Sequence, residues 1–296
     1  MTRDRWASWL LERRSGGDPH AAERIREYLH PIRDAVLDAA ALGPDTRILD
    51  VGCGDGLIAF GALERGAGHV IFSDVSQDLL DRCREMAGDL DVLERCRFVR
   101  VGAEDLAELA DASVDAVTTR SVLIYVADKA RALREFARVL APGGRISLFE
   151  PINRYFVDAD GRFPPTYDSA AVEDLARRVI AVYRGINPMD GPMMSFGERD
   201  LLEHAERAGF TDLHARLDID VRPPAARDWA SYLASSPNPL APTLEEALRQ
   251  TLTPTEIERY ARHFRPLVEG GIGTERRAVA YLSAVSRGPA EQSPRS

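Results

Sequence analysis

Apolar residues fall into two rhythms along the chain. Ile48, Leu49 and Val51 form a run with the length of a buried parallel strand; it breaks at Gly52, Gly54 and Gly56, and a helical apolar pattern resumes at Leu57. Upstream the spacing is helical. Trp6, Trp9 and Leu10 come first, and from an Asp18-Pro19 start follow Ile25, Leu29, Ile32, Val36 and Leu37, with Pro31 placed to kink the helix. Beyond Glu150, the residues Val172, Leu175, Val179, Val182 and Tyr183 repeat at helical spacing inside Pro151 to Gly197, a stretch too long for an ordinary connection. Between Arg222 and Thr274 two helices begin with capping boxes, Thr243 with Glu246 and Thr253 with Glu256. The second carries Ile257, Tyr260, Ala261, Phe264 and Val268 and closes at Gly270-Gly271.

The break after Val51 is where chemistry is expected. Glycines there let backbone approach a ligand, and the free N-H groups at the next helix start favour an anionic group. Spacing then selects the cofactor. The dinucleotide fingerprint is GxGxxG, and Leu57 stands where its third glycine would be, so NAD is disfavoured. The GxGxG form, directly after a strand ending in Asp50, resembles the first motif of class I S-adenosylmethionine-dependent methyltransferases.

That resemblance runs from Asp50 to Glu150, about a third of the chain. It implies an α/β, Rossmann-like class I methyltransferase fold: a seven-stranded, mostly parallel sheet with helices on both faces. It also implies S-adenosylmethionine as cofactor. Asp50, Gly52, Cys53 and Gly54 would form the first motif. HVIFSDVS ends in Asp74, where the family places an acid on both ribose hydroxyls, with Val75 and Ser76 beside the adenosine. RFVRV leads to Gly102, Ala103, Glu104, Asp105 and Leu106, similar to the adenine-contacting motif; the family often has an acid where this chain has Gly102, and Glu104 is assigned that contact. Val114 to Thr119 is the fourth strand, and Arg120 and Ser121 open a turn to Tyr125 under the methionine end. Asp128 caps a helix carrying Leu133, Phe136, Ala137 and Leu140 up to a stop at Ala141-Pro142-Gly143-Gly144. RISLFE then brings Glu150 to the edge of the site.

Further on, Glu198 to Ala208 reads as the last sheet-packed helix, DLHARLDIDV as the sixth strand and Arg276 to Ser286 as the closing strand. The expected organisation is an N-terminal helical lid (1–45), a cofactor-binding core (46–150), a cap insert (151–197), core continued (198–221), a helical insert (222–274), the final core strand (275–287) and a disordered tail (288–296). The family usually has a short hairpin where 222–274 stands. Trp229, Tyr232 and Asn238 in that insert are candidates to line an acceptor pocket.

Composition narrows the functional classes. A chain of 296 residues with 45% hydrophobic content can bury a full core. A net charge of -9 with scattered arginines argues against nucleic acid as partner. Lys129 is the only lysine, a bias expected of a GC-rich bacterial source. No apolar run is long enough to cross a bilayer and no signal peptide is evident, so a cytoplasmic protein without membrane attachment is expected. Cys53, Cys83 and Cys96 show no zinc spacing; no metal is expected, and Cys53 reads as a small residue between glycines rather than a nucleophile.

Near the methyl group the resemblance places Arg120, Tyr125, Glu150, Asn153, Arg154 and Tyr155, with Tyr125, Glu150 and Arg154 as catalytic candidates. Arg120 and Arg154 could hold an anionic acceptor or pair with an acid such as Glu150. Tyr125 could be a weak base, a donor or a wall, and the wall is favoured. His204, His214 and His263 read as surface or core residues. The function expected is methyl transfer to a small organic acceptor, in secondary metabolism, by a monomer or homodimer. Two alternatives stay open: a non-methyl reaction such as cyclisation or decarboxylation on the same cofactor, or a non-catalytic binding partner that dimerises through the helices between Thr243 and Gly270.

Overall fold

The computed structural model describes residues 3–18, 20–158 and 164–287. Pro19 and the tail expected to be disordered lie outside the described residues.

Asp4 caps the first helix, α1 (Arg5–Ser8), by accepting from the Trp6 and Ala7 amides, and the helix widens into a π turn at Trp9–Arg13. Helix α2 (Ala21–Ala39) runs on through Pro31. Then β1 (Arg47–Val51), α3 (Leu57–Glu64), β2 (His69–Asp74), α4 (Gln77–Asp89), β3 (Cys96–Arg100), β4 (Val114–Arg120), α5 (Lys129–Val139) and β5 (Leu140–Pro151) follow in strict alternation except between β3 and β4. Helices α6 (Glu173–Ile186) and α7 (Glu198–Arg207) precede β6 (Phe210–Arg222). Helices α8 (Trp229–Ala234), α9 (Leu244–Thr251) and α10 (Pro254–Gly270) precede β7 (Glu275–Ser286).

The seven strands form one sheet in the order β3-β2-β1-β4-β5-β7-β6. β3, β2, β1, β4 and β5 pair in parallel, and β7 runs antiparallel to β5. The expected mostly parallel seven-stranded sheet is therefore present. Its centre is apolar on both faces, as crossover helices require: Ile48, Leu49, Val70, Phe72, Val117 and Ile146 are all buried. Each such side chain contributes about 1.5–3 kcal/mol. Local signals set the helix starts. Ser76 accepts from the Leu79 amide at the start of α4, and Asp128 from Arg131 at the start of α5.

One local expectation is revised. The helix does end just before Ala141 to Gly144, at Val139, but these residues belong to β5 as an irregular segment: Leu140 already pairs with Val114, Gly143 takes a φ of 79°, and regular pairing resumes at Arg145 opposite Ala116. The register then slips between Val114 and Ala116.

The chain divides into two compact units. One gathers Glu27–Ile152, Phe196–Asp218 and Val279–Ser296, as far as described, and holds the parallel strands with α3, α4, α5 and α7. The other gathers Met1–Arg26, Asn153–Ser195 and Ile219–Ala278, as far as described, around a core of Tyr167, Leu175, Val179, Trp229, Leu248, Tyr260, Phe264 and Val268. Within it both expected capping boxes form, Thr243 with Glu246 and Thr253 with Glu256, and Trp9 Nε1 donates to Ser236 O at 3.0 Å.

Candidate active site

The predicted cofactor-binding residues, together with Tyr125 and Glu150, lie in the sheet-bearing unit, at or just beyond the C-terminal ends of β1 to β5. β1 ends in a turn that only glycine tolerates well: Gly52, Gly54 and Gly56 have φ of 65°, 57° and 84°. A Cβ on Gly52 would drive into Val122 Cγ2, so the turn lies flush against the loop after β4. Gly56 caps α3 in the left-handed region.

Asp74, at the end of β2, closes this turn. Its Oδ2 accepts from Gly54 N at 3.0 Å and its Oδ1 from Ser76 N at 2.9 Å. A carboxylate has lone pairs beyond these two bonds. Val75 beside it is exposed, and Gly102 faces it closely enough that an added Cβ would meet Val75 Cγ1 at 3.7 Å. An acceptor-rich carboxylate next to an open apolar surface fits a nucleoside, with hydroxyls on the acid and a flat base on Val75. Ala103, next after Gly102, is buried.

Asp50 is sealed. Thr118 Oγ1 donates to Oδ1 at 2.9 Å, while Oδ2 has no partner among the described residues. Burial raises its pKa to about 7, against the Thr118 bond and the charge of Arg120. Cys53 and Cys83 lie against each other and the Gly54 carbonyl, and that contact together with burial pushes the Cys53 thiol well up, as expected of a packing residue.

Glu150 differs most from its expected place. It does not stand open at the edge of the site but is fully buried, with Oε1 accepting from Thr119 Oγ1 (3.2 Å), Val122 N (3.0 Å) and Leu123 N (2.9 Å), and Oε2 from Ile124 N (3.1 Å). Burial raises its pKa and the four bonds oppose the rise. The carboxylate shapes the turn from Ser121 to Tyr125, in which Ser121 takes a left-handed φ of 59° and donates its N-H to Phe149 O. No arginine pairs with Glu150 among the described residues. Arg120, half-buried at the end of β4, instead acts on Asp50. Tyr125 ends the 3-10 turn Leu123–Tyr125. Glu104 is also engaged, its Oε1 accepting from Asp128 N at 2.6 Å.

Arg154 is exposed on the 3-10 turn Asn153–Phe156, in the other unit. In that unit Trp229 and Tyr232 sit 5.9 Å apart with Tyr167 6.0 Å from Tyr232, and Arg227 lies over the Tyr232 ring. Asn238 does not line a pocket with them: it is buried and its Oδ1 accepts from Leu240 N, which makes it a turn residue.

Sequence reasoning treated Lys129 only as a sign of composition. It is buried, donates from Nζ to Val126 O at 2.9 Å and lies 4.4 Å from the Phe196 ring centre. Burial lowers its pKa, while Glu150, Glu104 and Asp200 act the other way. The available signal was its position directly after the Asp128 cap. No cluster of metal-ligating side chains occurs among the described residues.

Comparison with known proteins bears on this geometry. Residues 49–148 match the family model described as a methyltransferase domain. A ubiquinone biosynthesis O-methyltransferase of Alkalilimnicola ehrlichii is 40% identical over 130 residues, covering 43% of this chain and 51% of that protein. A tRNA 5-carboxymethoxyuridine methyltransferase of Escherichia coli is 36% identical over 110 residues, 37% of this chain and 42% of that protein. The chain thus spans about half or less of these relatives. Among solved structures, phosphoethanolamine N-methyltransferase 2 of Haemonchus contortus, in complex with phosphomonomethylethanolamine and S-adenosylhomocysteine, superposes with a TM-score of 0.52 at 17% identity. That match covers 86% of this chain and 52% of that one.

Proposed function

We propose that the chain, whose residues 49–148 match a methyltransferase domain, is a class I S-adenosylmethionine-dependent methyltransferase that transfers the methyl group of S-adenosylmethionine to a small organic acceptor. The observation that carries this reading is the left-handed glycine turn closed on Asp74, beside the exposed Val75. When bound, the cofactor supplies a sulfonium methyl group that a nucleophile can take in line.

This chain's residues then have separable tasks. Asp74 accepts from the ribose hydroxyls, Val75 and Ala103 flank the base, and Gly52, Cys53 and Gly54 give the backbone its close approach. Asp50 and Arg120 fix the base of the turn, and Ser121 its continuation. Glu150 is a positioning residue: it shapes the turn that carries Tyr125 by holding three amides. Tyr125 is a wall, and the gain comes from alignment and exclusion of water. Glu104, already bonded to Asp128, supports the loop rather than reading the base.

A small acceptor is favoured by the net charge of -9, which offers phosphate backbones little. The match to the tRNA enzyme stays within the shared domain. Recognition of the acceptor is assigned to the unit outside that domain, with Arg154 and the aromatic group around Tyr232. Three free cysteines suit a reducing cytoplasm, and secondary metabolism is the setting we favour.

Calorimetric titration tests the reading. S-adenosylmethionine and S-adenosylhomocysteine should bind, NAD should not, and Asp74→Ala should weaken binding at least tenfold. Binding of NAD alone would overturn it. Release of S-adenosylhomocysteine with a methylated product separates methyl transfer from a cyclase or a silent binder.

A further inference from the structure

β6 is one of the two edges of the sheet, and unlike the short β3 at the other edge it is 13 residues long. Among the described residues, no backbone hydrogen bond from outside the sheet reaches Leu213 to Val221. Such an edge is a template for another strand unless it is blunted. Ile219 and Val221 remain exposed on it, at 44% and 59%.

The side chains of this edge are self-complementary. Apolar Leu213, Ala215, Leu217, Ile219 and Val221 alternate with His214, Arg216, Asp218 and Asp220. A two-fold axis perpendicular to an antiparallel pair must pass between a residue and its own copy, because residues facing each other share a face. Centred on Leu217, that axis sets Arg216 against Asp218 twice, His214 against Asp220, Ala215 against Ile219, and Leu213 against Val221. Neighbouring centres fail: 216 and 218 set a charge against itself, 215 sets Asp212 against Asp218, and 219 sets Asp218 against Asp220. Like charges directly opposite destabilise a pair. The run is bounded on one side by Asp212, whose left-handed φ of 49° bends the strand.

We propose that β6 is the docking surface for a second copy of this chain, pairing antiparallel about Leu217 so that the two sheets become one. Within each copy Arg216 Nε already lies 3.1 Å from Asp218, with both side chains about half exposed. The axis brings two such pairs head to tail into a closed quartet of alternating charge.

Sedimentation velocity at tens of micromolar should find a dimer. Arg216→Asp and Asp218→Arg should each give a folded monomer by circular dichroism. Mixing the two should restore a dimer, since both opposed positions would then set an acid of one copy against an arginine of the other. A wild-type monomer overturns the proposal, as does a dimer that survives both changes or folded single variants that fail to associate on mixing. Register has its own check. Under mild oxidation Leu217→Cys should form a disulfide-linked dimer, while Ala215→Cys and Ile219→Cys should link only when mixed. Linking of Ala215→Cys to itself, or no linking of Leu217→Cys, overturns the register.

Discussion

Thr118 Oγ1 donates to Asp50 Oδ1 at 2.9 Å across the β4–β1 pair, and the second oxygen of Asp50 is buried without a partner among the described residues. Burial keeps this carboxyl protonated up to about 7. An unfolded chain releases the same proton near pH ~4. Between these values the folded state holds the extra proton, so stability falls as pH rises through the window, by at most about 4 kcal/mol. Asp50→Asn should flatten this part of the profile. Urea unfolding of both proteins at several pH values reads the difference, and parallel profiles would count against a protonated Asp50.

Glu150→Gln keeps the size of the side chain but turns one acceptor into a donor that faces an amide. Four donors converge on the native carboxylate, so the expected loss is about 1–3 kcal/mol. Amide exchange at Val122, Leu123 and Ile124 should speed up more than exchange in β1. Unchanged protection there would mean that the turn holds its shape without the acid.

Gly52→Ala should abolish cofactor binding, since the new methyl meets Val122 and the backbone stays at φ 65°. Adding Val122→Ala removes the collision but not the strain, which is about 1–2 kcal/mol for a left-handed non-glycine residue. Calorimetry should therefore find partial recovery in the double variant. Full recovery would make the contact the whole effect, and none would make the dihedral decisive.

Lys129→Met keeps the packing against Phe196 and removes the buried charge. Burial lowers the lysine pKa in the fold, so the unfolded chain binds the proton more tightly and wild-type stability rises with pH up to about 10. The variant should lack that rise. Identical alkaline profiles would show that Lys129 is as well solvated folded as unfolded.

What could be read from the sequence follows from how local each cause is. The glycine turn, the Asp128 cap and both capping boxes depend on residues within four positions, and each is legible; the Ser76 cap is equally local but is hidden behind the expectation that Ser76 flanks the adenosine. Strand order was legible only through family resemblance, since nothing local makes β7 insert between β5 and β6. Glu150 was misplaced because it lies 26–28 residues from the amides it holds, and a strand-terminal acid looks alike whether it faces solvent or a turn. Lys129 was passed over because burial of a lysine depends on Phe196, brought to it only by the fold. Asn238 is a pocket candidate only by its place in the loop after Trp229, and the sequence does not show that its Oδ1 accepts from Leu240 N within its own turn.

The place of β7 in the sheet has a consequence for synthesis. It lies between β5 and β6, yet among the described residues it follows the other six strands of the sheet. On the ribosome β5 therefore emerges with one side unpaired and stays so while more than a hundred further residues are added, and β6 has no neighbour to join until β7 arrives. A nascent chain stalled before Glu275 would present the bare flank of β5, with buried-type residues Ile146, Leu148 and Phe149, to any passing strand. Translation products truncated before β7 should accordingly be found with chaperones or in inclusion bodies, whereas chains that include β7 close that flank.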